Sequence, residues 1–486
     1  VHYGFVELVY RITCVAPPQI HRGDRMDTLI TQLADIIPAD RVISPNLIQD
    51  YGSDECLTVD PVTPAVVLCP ENTEEVSALL KFADRHRVPV TARGAGTGLS
   101  GAAVPSSESM VISLERMNQV LEIDTENHVA VVQPGVRLNE LDLLTREHDL
   151  IYPVFPGEYS SSLGGNISTN AGGMRAVKYG VTRHQVLGLE MVLAGGEVLR
   201  SGGKFVKSST GYDLTQLVVG SEGTLAVVTE ATLKLSPRIE HQVTVLAPFN
   251  TLGEVSAAVP RVVDSGIGPV VLEYIDLLTM SAVHSFTGLE LGIPQEIQDT
   301  VLAYLVVMLE NPVLSRLEED TERLSEMLFD LGAIDAYVLP SGAAAGLIDA
   351  REKAFWMAKA AGADDIIDIV VPRAQIPQFM ERVGLLAAEY EAWIAGCGHA
   401  GDGNVHMGIF CSDQERRNRL LAELFAAGLS LGGEISGEHG VGRAKKQYFN
   451  ALVDPAKIAL MRRIKSAFDP HGILNPEILF TNEEQT

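Results

Sequence analysis

Glycine arrives in clusters between Arg93 and Pro237, at 94–101, 164–165, 172–173, 195–196, 202–203 and 220–223, most of them beside β-like runs such as Val129–Val132, Met191–Ala194 and Leu225–Thr229. An isolated glycine usually marks a turn, whereas clusters on this scale predict backbone packed against something that leaves no room for a Cβ. The first stretch, Val88-Pro-Val-Thr-Ala-Arg-Gly-Ala-Gly-Thr-Gly-Leu-Ser-Gly101, holds a literal Gly96-x-Gly98-x-x-Gly101 after a β-like run, with Glu115 beyond it. That fingerprint seats a pyrophosphate only if a helix opens at its last glycines. Here Pro105 and a serine-rich segment follow, then the β-like run Met110–Leu114, which disfavours a Rossmann nicotinamide site. A nest of consecutive backbone N–H groups holds phosphate without a helix, and Arg93–Gly101 suits one. A plain glycine-rich hairpin is the competing reading of this loop taken alone.

A second stretch, Pro156-Gly-Glu-Tyr-Ser-Ser-Ser-Leu-Gly-Gly-Asn-Ile-Ser-Thr-Asn-Ala-Gly-Gly173, fills almost every place with small or hydroxyl residues. Too few apolar side chains remain for a core, so this backbone is expected to lie against a large rigid ligand. A third, Gly220-Ser-Glu-Gly-Thr-Leu-Ala-Val-Val-Thr229, adds another backbone edge. Three such segments around one site suit a long cofactor with a diphosphate and a planar ring.

The chain has 486 residues, which at about 150 per domain predicts two or three domains. Being 46% hydrophobic and 21% charged, it is not extensively disordered. Its 63 acidic against 37 basic residues leave a net charge of -26, which excludes a general nucleic-acid binder. Cys14, Cys56, Cys69, Cys397 and Cys411 lie far apart, against a disulfide framework or an iron–sulfur cluster on this chain and for a reducing compartment. No apolar run reaches the roughly 18 residues of a membrane span, and no basic-then-apolar leader opens the chain. A cytoplasmic protein is expected, with peripheral contact to the inner face of the membrane left open. Residues 1–25 precede the first methionine, Met26, and are read as an extension without a role.

Helical spacing runs from Met26 to Leu33; a strand is predicted at Ala65–Leu68, a helix at Thr73–Arg85 and a strand at Val88–Ala92. Past Pro237 glycine thins, and strands at Val243–Leu246, Leu302–Met308 and Ile366–Val371 alternate with acidic amphipathic helices such as Ser315–Leu331. This is the pattern of a separate α+β domain. A last helix, Pro455–Phe468, is stopped by Pro470 and Gly472. The expected organisation is 26–237, 238–435 and a C-terminal segment 436–486.

The C-terminal third holds His399-Ala-Gly-Asp-Gly-Asn-Val-His406 and Ser436-Gly-Glu-His-Gly-Val-Gly-Arg443. Gly401-Asp-Gly-Asn404 is turn chemistry that reverses the chain between the two histidines. Glu438 and His439 lie between glycines, free to face different partners. Two imidazoles and a carboxylate with an open position suit a catalytic divalent metal, zinc or manganese. Histidines satisfied within a core are the ordinary alternative.

Arg93-Gly-x-Gly-Thr-Gly, Gly164-Gly-Asn-x-x-Thr-Asn-x-Gly-Gly173, Lys207-x-x-Thr-Gly-Tyr-Asp-Leu214 and Gly220-Ser-Glu-Gly-Thr-Leu225, in that order, resemble the FAD-binding domain of the vanillyl-alcohol oxidase / p-cresol methylhydroxylase superfamily. From Met26 to Phe480 the chain resembles the branch containing glycolate oxidase subunit GlcD, cytochrome-type D-lactate dehydrogenase and D-2-hydroxyglutarate dehydrogenase. The resemblance implies an α+β fold. A two-subdomain FAD-binding domain would face an α+β cap with an antiparallel sheet, and the C-terminal helical segment would return to the flavin. It places Arg93, Gly94, Ala95, Gly96, Thr97, Gly98, Ser100 and Gly101 at the pyrophosphate. It places Pro156, Gly157, Leu163, Gly164, Gly165, Ser168, Thr169, Gly172, Tyr179 and Gly180 along the ring and ribityl chain, and Glu222, Gly223 and Val228 at the adenosine end. Asn475 sits near the flavin or caps the chain before Pro476. The first loop has no His or Cys to tether the flavin, so FAD is expected to be non-covalent.

The same resemblance makes His399, His406 and Glu438 the metal ligands and His439 the catalytic base of an FAD-dependent 2-hydroxy acid dehydrogenase. Arg351 would hold the substrate carboxylate, or else lie on a solvated helix face. Phe355 and Trp356 would wall the pocket or pack in a core, and Asn404 would bond substrate or shape its turn. Ile366 stands where hydroxyglutarate-type members carry a lysine, which favours a small monocarboxylate such as D-lactate or glycolate. D-2-hydroxyglutarate, or a role as flavin subunit of a multi-subunit glycolate oxidase, is the alternative. Electrons would pass to a quinone or cytochrome, an electron-transfer flavoprotein, oxygen or an iron–sulfur subunit. A homodimer is an open expectation.

Overall fold

The computed structural model describes residues 31–298 and 300–480. Most of the helix expected at Met26–Leu33, and all of 1–25, lie outside the described residues; Thr31–Leu33 are helical. Three short strands, Val66–Leu68, Met110–Ser113 and Val90–Arg93, form a parallel sheet in that order. The helix Thr73–His86 packs its buried face (Val76, Leu79, Leu80, Ala83) on this sheet. It starts where Asn72 accepts the Glu75 N–H and ends at Arg87 in the left-handed region. No helix follows Gly101, as the proline and serines there dictate.

A second, antiparallel sheet of five strands runs in the order Val120–Asp124, Val129–Val132, Val227–Lys234, Val186–Val192 and Val198–Gly202. Two of these strands differ from the β-like runs of the sequence, extending through Glu190 and Glu230. A charge within a buried strand hides it from an apolar pattern, and Glu190 is tolerated because Thr73, Thr229 and Arg200 all bond its carboxylate. The glycine pairs 195–196 and 202–203 lie at the ends of this last hairpin and line no ligand-sized cleft, so they serve its turns.

The seven-stranded sheet of the third unit is antiparallel throughout. Its order is Tyr337–Val338, His241–Phe249, Ala303–Asn311, Val271–Asp276, Trp393–His399, Asn404–Phe410 and Asp365–Val370. Helices Leu252–Asp264, Leu314–Asp330, Ile376–Glu389 and Gln414–Ser430 contribute to its main core. The chain then returns: Asn475 N donates to Val90 O (2.8 Å), and Leu474 bridges Val90 at the edge of the first sheet. That return brings the 436–443 loop over the glycine-rich loops.

Candidate active site

A cleft of about 1190 Å³, its open mouth included, lies between the three glycine-rich stretches. Backbone and small side chains form most of its wall, and Arg93 is the one Arg or Lys among the described lining residues. The Arg93 guanidinium donates to Ser53 O at 2.6 Å, turned under its own loop. Close approach fixes the glycines. A Cβ on Gly164 would lie 2.6 Å from Pro134 Cβ and 3.0 Å from its carbonyl oxygen, and one on Gly172 would lie 2.7 Å from Glu438 Oε2. The loops are tied to one another: Asn475 Nδ2 donates to both Ala102 O and Glu222 O at 2.9 Å, and Glu222 N donates to Ser168 O at 2.7 Å. The buried Glu222 carboxylate accepts the N–H groups of Val441 (2.9 Å) and Gly442 (2.8 Å), clamping the C-terminal loop onto the cleft. Burial pushes its pKa up to about 7 against the pull of those two donors.

On the other side of that loop, His399, His406 and Glu438 bring ligand atoms within 4.8 Å of one another. His399 ends one strand of a hairpin and His406 lies in the next; the Ala400–Gly403 reversal turns both rings toward Glu438. Glu438 Oε1 is 3.2 Å from His399 Nε2 and 3.0 Å from His406 Nε2. Glu273 Oε1, 2.7 Å from His399 Nδ1, fixes the orientation of that ring. Burial opposes charge on His399, yet the Glu273 and Glu438 carboxylates outweigh it and push its pKa up to about 10. A proton thus sits where a cation would be favoured.

Asp368 organises the loop. Fully buried in the strand Asp365–Val370, it accepts the N–H groups of Gly437 and Glu438 at 2.7 Å and Ser436 Oγ at 2.9 Å, and it pairs with Lys445 Nζ. His439 Nδ1 lies 3.3 Å from its carboxylate, off the hydrogen-bonding line. Burial dominates at His439 and holds its pKa down at about 4, so the imidazole is neutral. Asp368 and Glu273 were missed by the sequence reading, though each interrupts an apolar run, Ile366-Ile-Asp-Ile and Val270-Val-Leu-Glu. A carboxylate inside such a run needs built partners, which is the signal that finds it.

Some of the buried polar atoms left without a partner lie here: Arg351 Nε, Asn404 Oδ1 and His439 Nδ1, with Ser100 Oγ in the adjoining cleft wall. Orphans of this kind fit a site built for a polar ligand.

Residues 64–202 match an FAD binding domain, and residues 238–478 match the FAD linked oxidases, C-terminal domain. The chain belongs to the FAD-linked oxidase family. An uncharacterized FAD-linked oxidoreductase of Mycobacterium tuberculosis is 57% identical over 94% of this chain and 99% of its own length. Glycolate oxidase subunit GlcD of Bacillus subtilis is 37% identical (86% and 90% covered), and a D-lactate dehydrogenase of Anaerostipes hadrus 35% (92% and 96%). The fold is that of 4-ethylphenol oxidase from Gulosibacter chungangensis, with a TM-score of 0.75 at 18% identity, covering 94% of this chain and 97% of that one. It is the p-cresol methylhydroxylase type of FAD-binding fold joined to an antiparallel α+β domain.

Within this FAD-linked oxidase the predicted cofactor residues divide. Arg93 to Gly98, Ser100, Pro156, Gly164, Gly165, Ser168, Thr169, Gly172, Glu222, Gly223, Val228 and Asn475 line the cleft. Leu163 is buried in the core beneath it, and Gly101 packs against Val59. Tyr179 points away, its hydroxyl bonded to Glu310, and the adjacent Gly180 packs on the His184 ring. Neither of the last two lines the cleft, because the short helix Ala176–Tyr179 turns toward the cap sheet.

Gly157 lines a second chamber with His399, His406, Arg351 and Phe355. Arg351 is buried, not on a solvated face, and its Nη2 lies 2.8 Å from Glu273 Oε2. Trp356 is 40% exposed and stands outside the chamber wall. Asn404 Nδ2 reaches His406 Nε2 at 3.4 Å. Among the described residues no helix is long and apolar enough to cross a membrane.

Proposed function

We propose that this FAD-linked oxidoreductase is a D-2-hydroxy acid dehydrogenase that converts a monocarboxylic substrate to the 2-oxo acid, with its FAD held non-covalently. One observation carries the reading: Leu99, Pro156, Glu438 and His439 line both the flavin cleft and the chamber that holds His399, His406 and Arg351. Substrate in the chamber would therefore meet the cofactor and the acid–base groups at one wall. The D-lactate and glycolate named for the relatives supply the substrate head group by analogy. FAD supplies a two-electron acceptor, and a zinc or manganese ion held by His399, His406 and Glu438 supplies a Lewis acid for the hydroxyl and carboxylate oxygens.

The chain's own groups do the rest. His439, turned toward Asp368 through Nδ1, has Nε2 left to take the hydroxyl proton as the Cα hydrogen departs with its electron pair. One C–H and one O–H bond break, and the carbinol carbon becomes the 2-oxo carbon. Arg351, whose Nη2 is held by Glu273 while its Nε lacks an acceptor, orients the carboxylate. It is the one Arg or Lys among the described residues of the chamber wall, and Glu273 already neutralises it. With Ile366 also on that wall, a second carboxylate would find no cation, which disfavours D-2-hydroxyglutarate.

Anaerobic mixing of the metal-supplemented holoprotein with D- and L-2-hydroxy acids tests the reading by flavin bleaching. D-isomers should bleach it and L-isomers should not. Silence with every hydroxy acid, with zinc or manganese present, removes the reading.

A further inference from the structure

Resting on that dehydrogenase reading, we infer that the substrate carries a long aliphatic or aromatic side chain, in place of the methyl or hydrogen of lactate or glycolate. The chamber holds about 380 Å³ that water can occupy. A three-carbon hydroxy acid displaces on the order of 100 Å³, the share of three to four waters.

The register of the hairpin shows where the remaining space leads. Trp393–His399 and Asn404–Phe410 pair antiparallel, and alternate residues point to one face. On the chamber face, beyond His399 at the inner end, the cross-strand pairs run Cys397 with His406, Ala395 with Gly408, and Trp393 with Phe410. Thus the floor is polar at the ligand cluster, small in the middle and aromatic at the outer end. Four residues along each strand separate Cys397 and His406 from Trp393 and Phe410, roughly 13 Å. Ile366, opposite Gly408, widens the apolar floor.

Two helices form the roof. Leu278 and Ala282, four residues apart on Leu277–Thr287, share a face, as do Ala354, Ala358 and Ala361 around Ala354–Ala360. Small side chains on floor and roof leave a slot, and Trp393, 71% exposed, stands at its mouth. A slot whose walls, Thr279 and Glu352 apart, are apolar beyond the cluster and Arg351, and which ends at an aromatic pair, recognises hydrocarbon. The hydroxy-carboxylate head remains at the cluster, and the tail extends away from the flavin cleft.

The test is a chain-length series of D-2-hydroxy acids, from propanoate through hexanoate to octanoate, with phenyl-lactate, read as kcat/KM for flavin reduction by the holoenzyme. The expected result is a rise of about fourfold per buried methylene, levelling once the slot is filled. D-lactate equal to or better than D-2-hydroxyoctanoate overturns the inference and leaves the dehydrogenase reading standing. If no acid reduces the flavin, the dehydrogenase reading falls. The slot is then read alone, by flavin-spectrum titration with octanoate against propanoate, and equal affinities overturn it too. Ala282→Phe places a ring in the slot from a half-buried helix position outside the flavin cleft. It should lower the octanoate-over-propanoate ratio of kcat/KM at least tenfold with FAD content retained. An unchanged ratio counts against the slot.

Discussion

The glycine-rich cleft proposed for the flavin is walled by backbone and small hydroxyl side chains, with one arginine, whereas the neighbouring cluster is built of ionisable side chains packed against one another out of water. In the cleft, shape does the holding: loops are drawn together by Asn475 and Glu222, and glycines allow the approach. In the cluster, charge does it: Glu438 is tolerated against His399 and His406, Glu273 against His399 and Arg351, and the adjoining Asp368 against Lys445. The two should therefore fail differently. A change in the cluster should be felt in chemistry and electrostatic balance, and a change in the cleft in packing and cofactor content.

The largest effect is expected at His439. His439→Ala removes the one imidazole among the described residues that lines both cavities, outside the His399–His406–Glu438 cluster, and should lower turnover by about 10²–10⁴-fold. Its FAD content, and any zinc or manganese it takes up, should match the wild type. Normal turnover in this variant would place the base elsewhere. Asp368→Ala should act on the same loop through stability. With its carboxylate gone, buried Lys445 loses its one carboxylate partner and keeps only Ser436 Oγ, and three donors at 436–438 lose their acceptor. Breaking a buried pair costs about 3–5 kcal/mol, readable as a fall in thermal or denaturant midpoint together with turnover. A stable, inactive Asp368→Ala protein would show that the residue acts on chemistry alone.

These two residues also mark what the sequence discloses. His399, His406, Glu438 and His439 stand in glycine-flanked motifs, so their type and setting point to a site before any fold is known. Asp368 and Glu273 sit in apolar strands, and only pairing reveals their targets: the register sets Asp368 opposite His406, and Glu273 reaches His399 across the sheet. The glycine-rich stretches were legible as a cleft for the same local reason. Tyr179 and Gly180 were not, because their direction depends on the cap sheet that receives the helix before them. The space beyond Arg351 was invisible too, as it arises from alanines and glycines that say nothing in isolation.

A third prediction sharpens the contrast at the joint between the regions. Glu222 clamps the C-terminal loop to the cleft, and burial raises its pKa to about 7. A carboxyl with its folded pKa raised adds stability that is fully present below the unfolded value near 4.5 and is lost as pH rises through about 7. Relative to wild type, Glu222→Gln should therefore gain stability as pH goes from 4.5 to 8, by up to about 3 kcal/mol. Denaturation midpoints of both proteins across that range check it. If the two backbone donors outweigh burial, the sign reverses and the variant loses ground as pH rises.

The smallest effect tests whether shape alone governs the cleft. Gly164→Ala puts a methyl 2.6 Å from Pro134 Cβ and 3.0 Å from its carbonyl oxygen, and the neighbour here is a rigid ring and its backbone. Overpacking of this kind costs about 1–3 kcal/mol and displaces the loop that carries Gly165 and Ser168 into the cleft wall. FAD content should fall, read as the absorbance ratio of flavin to protein after gel filtration. Of the cluster, His399 and His406 stand on the other sheet and Glu438 on the C-terminal loop, so any zinc or manganese taken up per chain should be unchanged. If Gly164→Ala lowers metal content as much as flavin content, the regions are one cooperative unit, and the division between backbone and charge describes composition only. If flavin alone is lost, the cleft and the cluster are assembled separately and meet only through the loop that carries Glu438 and His439.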